Sequence, residues 1–128
     1  MEQSKNNDNI KHDYKILFFG YNMYGKLTNH VFTKIVVKKG DYYKLNEIYQ
    51  IKLMALDLSF CKLVAIKELS YYDLTDFESY IDLGFCIQDY RKYLLDLLPM
   101  NFDLKKDKLL FCVFEKINPL AEENNLTL

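Results

Sequence analysis

The chain contains no tryptophan, two prolines, four glycines and two histidines among its 128 residues. So little proline and glycine argues against a collagenous or low-complexity chain. His12 and His30 have no cysteine, histidine or carboxylate at ligand spacing, so no metal site is expected. Glycine is also too sparse around Gly20 and Gly25 to form a phosphate-cradling loop, and no cofactor is expected. The three cysteines, Cys61, Cys86 and Cys112, are odd in number and each sits in an apolar run. That pattern reads as buried free thiols rather than a disulfide frame. No window reaches the roughly 18 uninterrupted apolar residues of a membrane-crossing helix, and the polar start Met1 to Asp13 lacks the apolar core of a secretory signal. A cytoplasmic protein with no membrane partner is expected. Seventeen basic against eighteen acidic residues give a net charge of −1, which excludes a global basic field for indiscriminate nucleic-acid binding. Any such site must be a local patch.

What remains is an ordinary globular mixture, half hydrophobic and about a quarter charged, at a length that suits one domain. Eleven Tyr and nine Phe make the core ring-rich and leave some Tyr partly exposed. The bias toward Asn, Lys, Ile and Tyr is what an AT-rich coding sequence produces, as in a low-GC bacterium or a phage of one.

Residues 1–12 and 119–128 lack periodicity and read as tails around a domain spanning 13–118. Tyr14 to Phe19 (YKILFF) is a short β-favouring run, followed by a loop through Gly20 and Gly25. His30 to Lys38 is rich in β-branched residues and ends at the turn signal Lys39-Gly40-Asp41. Leu45 to Leu58 and Ser59 to Leu69 read as two long strands joined within Ala55 to Ser59, with a helix through Lys52 to Leu58 as the competing reading. Thr75 with Glu78 three residues on is a capping box, opening a short helix that ends near Gly84. Ile87, Tyr90, Leu94, Leu97 and Leu98 recur at spacings of three and four, which predicts a second helix closed by Pro99. Lys108 to Ile117 (KLLFCVFEKI) is a buried strand that must return to pair with the earlier ones. The fold class is α+β: a small mixed sheet or barrel with two helices on one side.

Residues 63–115 resemble the ASCH domain, a branch of the PUA-like superfamily. The resemblance lies in Val64-Ala65-Ile66-Lys67-Glu68-Leu69, Tyr72-Asp73-Leu74-Thr75-Asp76, Asp82-Leu83-Gly84-Phe85, Tyr90-Arg91-Lys92-Tyr93, Leu98-Pro99 and Leu110-Phe111-Cys112-Val113-Phe114-Glu115, in that order. Upstream, the family's basic segment Gly-x-Lys-Thr-x-Thr-x-Arg is echoed by Gly25-Lys26-Leu27-Thr28 and by Thr33-Lys34-Ile35. If Thr33 takes the second Thr, His30 stands at the family's Lys.

The resemblance implies a PUA-like barrel and two kinds of activity. In one, RNA or single-stranded nucleic acid binds in a cleft without catalysis, with Lys26, Lys34, Lys38, Lys39 and Lys44 for phosphates and Tyr42 or Tyr43 against a base. This is the leading expectation. In the other, a small amidohydrolase removes the acyl group of an acylated cytidine with a Lys, a Thr and a carboxylate. The roles would fall to Lys26 or Lys34, Thr33 and Asp82. A third expectation, from the abundant Tyr and Phe, is a protein-interaction module, for instance a viral protein gripping a host factor.

Overall fold

The computed structural model describes residues 14–20 and 22–119. The expected tails, Pro119 aside, lie outside the described residues. Five strands form one mixed sheet: β1 (Lys15–Phe19), β2 (Val31–Val37), β3 (Ile48–Leu53), β4 (Leu56–Leu69) and β5 (Leu109–Ile117). Two α-helices, α1 (Asp76–Leu83) and α2 (Ile87–Leu97), fall between β4 and β5. The strand order is β1-β3-β4-β5-β2, so the first two strands in sequence lie at opposite edges of the sheet.

Only β1 and β3 pair in parallel; the other neighbours are antiparallel. β4 is fourteen residues long and pairs with β3 along its first half and with β5 almost throughout. Register shifts at Gln50/Lys52 and at Leu63/Ala65 interrupt these two ladders. Each such irregularity bends its strand and adds twist, which curls the sheet into a half-barrel.

Strand alternation divides the core in two. Inside the curl lie Leu17, Phe19, Phe32, Tyr49, Ile51, Leu63 and Phe114. On the convex side Leu109 and Phe111 pack with Tyr71, Leu74, Tyr90 and Leu94 under the helices. β5 is therefore buried on both faces, which is why its sequence reads as a continuous apolar run. β2 follows the same rule: Phe32 and Val36 point inward, Ile35 and Val37 toward the helices.

The helix boundaries have local causes. Thr75 accepts from the Phe77 amide while Glu78 receives the Thr75 amide at 2.8 Å, closing the capping box read from the sequence. Gly84 ends α1 at φ 73°, a left-handed position open to glycine at no steric cost. α2 stops at Leu98 because the residue before Pro99 disfavours the helical region.

Two expectations are corrected. The β3–β4 hairpin turns at Met54–Ala55, meeting the expected stretch Ala55 to Ser59 only at its first residue, and no helix runs through Lys52 to Leu58. The loop after Gly20 is in part a 3-10 helix, Met23–Thr28. Met54 sits at φ 56° in the first position of a two-residue turn, where glycine is the usual occupant. Neither Gly nor Pro marks the turn, so length alone misplaced it. Met54 is exposed and its side chain supports little. Met54→Gly is expected to stabilise the fold by about 1 kcal/mol through relief of that conformation. Denaturant unfolding checks it; a lower midpoint would refute the strain.

Candidate active site

Asp82, in the last turn of α1, is 8 % exposed and gathers three partners. Its Oδ1 accepts from Lys26 Nζ at 2.6 Å and from Thr33 Oγ1 at 2.6 Å. Its Oδ2 accepts from the Tyr90 hydroxyl at 2.8 Å. The Lys26 ammonium also donates to the Thr33 carbonyl at 2.8 Å. A carboxylate this enclosed is tolerable only because each oxygen has a charged or polar donor.

Each group arrives by a separate local rule. Thr33 lies on the helix-facing side of β2, and antiparallel pairing with Val113 directs its carbonyl toward the free edge. The 3-10 helix carries Lys26 under that edge, its turn held by the Leu27 amide on Asn22 Oδ1. Asp82 lies four residues after Glu78, so both carboxylates share one face of α1. Tyr90 is fully buried on the apolar face of α2. Burial and the Asp82 charge push its phenol well above the usual range, so it remains a proton donor.

Lys26 and Asp82 open onto a cleft of about 810 Å³, with Thr33 one step deeper and 9 % exposed. The cleft lies between the free edges of β1 and β2, lined by Phe18 and Phe19 on one side and by Ile35 and Val37 on the other. Tyr93, Leu97 and Leu98 form an apolar wall from α2 and its end. Its volume falls within the range of small-molecule pockets.

The structure gathers part of the expected basic segment here. Lys34, Lys39, Tyr42 and Tyr43 line the cleft alongside Lys26 and Asp82. Lys34 shares no hydrogen bond with Thr33 or Asp82; its ammonium sits over the Phe19 ring at 4.6 Å. Burial, then the neighbouring Lys26, holds its pKa below the usual lysine value. Lys38 is elsewhere, paired with Glu68 at 2.8 Å, and Lys44 is exposed outside the cleft lining. Neither Tyr is a loose platform. The Tyr42 hydroxyl bridges the Ile16 amide and carbonyl, and Tyr43 stacks on Tyr49 with centroids 5.8 Å apart. Burial, followed by neighbouring groups including Tyr42, pushes the Tyr43 phenol up to about 12. His30, at the family's Lys position, is exposed and meets Glu115 at 3.1 Å. Lys26 reaches the Thr33–Asp82 pair from the preceding 3-10 helix instead.

Two participants escaped the sequence reading. Tyr90 was taken only as a core residue, although a phenol on a buried helix face needs an acceptor, which was its signal. Glu78 was taken only as a cap. It is fully buried and also receives Lys67 Nζ at 2.7 Å. Among the described residues, no cluster of three or more His, Cys, Asp or Glu is placed to hold a metal, and no helix is long and apolar enough to cross a membrane. Burial pushes the Cys61 and Cys112 thiols up to about 12, which makes them unreactive. Comparison with family models, curated proteins and solved structures returned no match.

For Glu78, burial alone would raise the pKa; hydrogen bonds from Lys67 and Thr75 outweigh it and bring the value from 4.5 to about 2. A depressed carboxylate stabilises the fold above its unfolded value, and that contribution is lost as pH falls from 4.5 toward about 2. Denaturant unfolding at about pH 5 and about pH 3 should show a smaller acid loss in Glu78→Gln than in the parent. Equal losses would remove Glu78 from the acid response.

Proposed function

We propose that the chain is a small hydrolase of amide bonds with Lys26, Thr33 and Asp82 as its catalytic residues. The observation that carries this reading is the convergence of Lys26 Nζ and Thr33 Oγ1, each at 2.6 Å, on one oxygen of Asp82. A hydroxyl already donating to a carboxylate is arranged to lose its proton as it attacks. Thr33 Oγ1 adds to the amide carbonyl carbon and its proton passes to Asp82. The oxyanion that forms is met by the Lys26 ammonium, a fixed positive charge in a water-poor site. Collapse breaks the C–N bond, and the amine leaves with the proton from Asp82. Water then attacks the Thr33 ester, again giving its proton to Asp82; the acyl C–Oγ1 bond breaks, Thr33 Oγ1 takes that proton back from Asp82, and the acid is released.

Tyr90 would keep Asp82 oriented through both steps, its hydroxyl occupying the oxygen that Thr33 does not use. The resemblance to ASCH domains supports an acylated cytidine as the substrate to try first, and the apolar, aromatic lining of the cleft suits a planar base. Thr33→Ala removes the nucleophile and is expected to lower hydrolysis of acylated cytidine by at least about 10⁴-fold, while Thr33→Ser keeps measurable activity. Product release followed chromatographically decides it. Activity in Thr33→Ala equal to that of the parent would sink the assignment.

A second reading, non-catalytic binding of RNA, has one observation in its favour. Lys34, Lys39, Tyr42 and Tyr43 line the same cleft. Salt-sensitive fluorescence anisotropy with single-stranded RNA should then weaken in Lys39→Glu more than in Lys38→Glu, because Lys38 is already paired with Glu68. The opposite order would count against the cleft as the nucleic-acid site.

A further inference from the structure

The cleft holds more positive charge than its own carboxylate answers. Its charged lining consists of Lys26, Lys34, Lys39 and Asp82. Lys26 is spent on Asp82. That leaves two ammonium groups facing one cleft in a chain whose net charge is −1.

Lys34 is the unusual one. Of the other half-buried lysines, Lys15, Lys26, Lys52 and Lys116 rest on an oxygen: carbonyls of Asp41 and Tyr42, the carboxylates of Asp82 and Asp57, and the Leu27 carbonyl. Among the described residues, Lys34 has only the face of Phe19 beneath it, at 4.6 Å. An aromatic face holds an ammonium from one side and takes none of its three N–H donors. The ammonium is only partly withdrawn from water, at the cleft lining, and an anionic ligand would supply the acceptor that the ring face does not. β2 alternation fixes the geometry. Thr33 turns toward α1 while Lys34, the next residue, turns into the curl, so the two side chains lie on opposite sides of the strand edge that lines the cleft.

We propose that Lys34, assisted by Lys39 at the cleft wall, is an anion-binding site for the ligand, so that the substrate is an amide carrying a phosphate or carboxylate. The carbonyl would sit at Thr33, the anionic group on the Lys34 ammonium, and the apolar body against Tyr93, Leu97 and Leu98. The substrate half of the proposal rests on the hydrolase reading; the anion site does not. Burial and Lys26 lower the Lys34 pKa, a bound anion would raise it again, and the preference for a charged ligand would fade as pH rises.

Binding is measured calorimetrically on folded Thr33→Ala protein, where no turnover interferes, with two matched pairs of probes. Cytidine against cytidine 5′-monophosphate tests a phosphate; N-acetylglycinamide against N-acetylglycine tests a carboxylate. In one pair the charged member is expected to bind at least about 10-fold tighter, which is about 1.4 kcal/mol. Lys34→Gln should abolish the difference and Lys34→Arg should keep part of it. Lys39→Ala, at an exposed position, should reduce it without disturbing the core. The pair that responds identifies the anion. Equal or absent binding of both charged probes overturns the proposal, as does a preference that survives Lys34→Gln in protein with an unchanged circular dichroism spectrum. If wild type leaves both acylated cytidine and acylated cytidine 5′-monophosphate intact while the preference persists and follows Lys34, the hydrolase reading fails and the anion site stands.

Discussion

The Asp82 carboxylate is the point on which the arrangement depends. It joins the 3-10 helix, the edge strand β2 and both α-helices, through Lys26, Thr33, its own place on α1, and Tyr90. A charge withdrawn from water this far is costly unless its partners are fixed. The same requirement that makes it expensive makes it organising. Removing Lys26 would strand the charge; removing Thr33 or Tyr90 would free one oxygen to turn. The helices therefore dock on the sheet through this polar node beside the apolar layer of Tyr71, Leu74, Leu94 and Phe111.

A second buried carboxylate, Glu78, repeats the pattern one turn earlier on α1. It too combines a lysine with a threonine hydroxyl, here Lys67 and Thr75. The settings differ in a way that matters for chemistry. Glu78 is closed off completely and serves the helix cap, while Asp82 and its lysine line the cleft. Similar donors around similar acids thus give a structural joint in one place and the proposed reactive centre in the other, and access to the cleft is what separates them.

Most of the architecture is legible in the sequence because its signals are local. The capping box at Thr75, the glycine at Gly84, the periodicity from Ile87 to Leu98 and the apolar run of β5 each describe their own neighbourhood. The Met54 turn was not legible, since its left-handed residue is neither Gly nor Asn. The site was half legible. Thr33 and Asp82 were named from a resemblance, but the choice between Lys26 and Lys34 hung on how a 3-10 helix would present one side chain under a strand edge fifty-six residues from the acid it meets. Tyr90 lay in plain view on an amphipathic helix, hidden by the assumption that a residue on the core face serves packing alone.

The parallel pairing of β1 with β3 has a further effect. It places the first strand at one margin of the curled sheet while β2 holds the other, and the cleft is the gap between these margins. A pocket of this kind is a seam. Its width is set by how tightly the sheet curls, and the curl is set by the backbone irregularities at Gln50/Lys52 and Leu63/Ala65, on strands remote from the catalytic residues. The aperture of the site is thus written in main-chain pleating, so the size of molecule it admits can drift through changes in the middle of the sheet that leave every residue around Asp82 as it was.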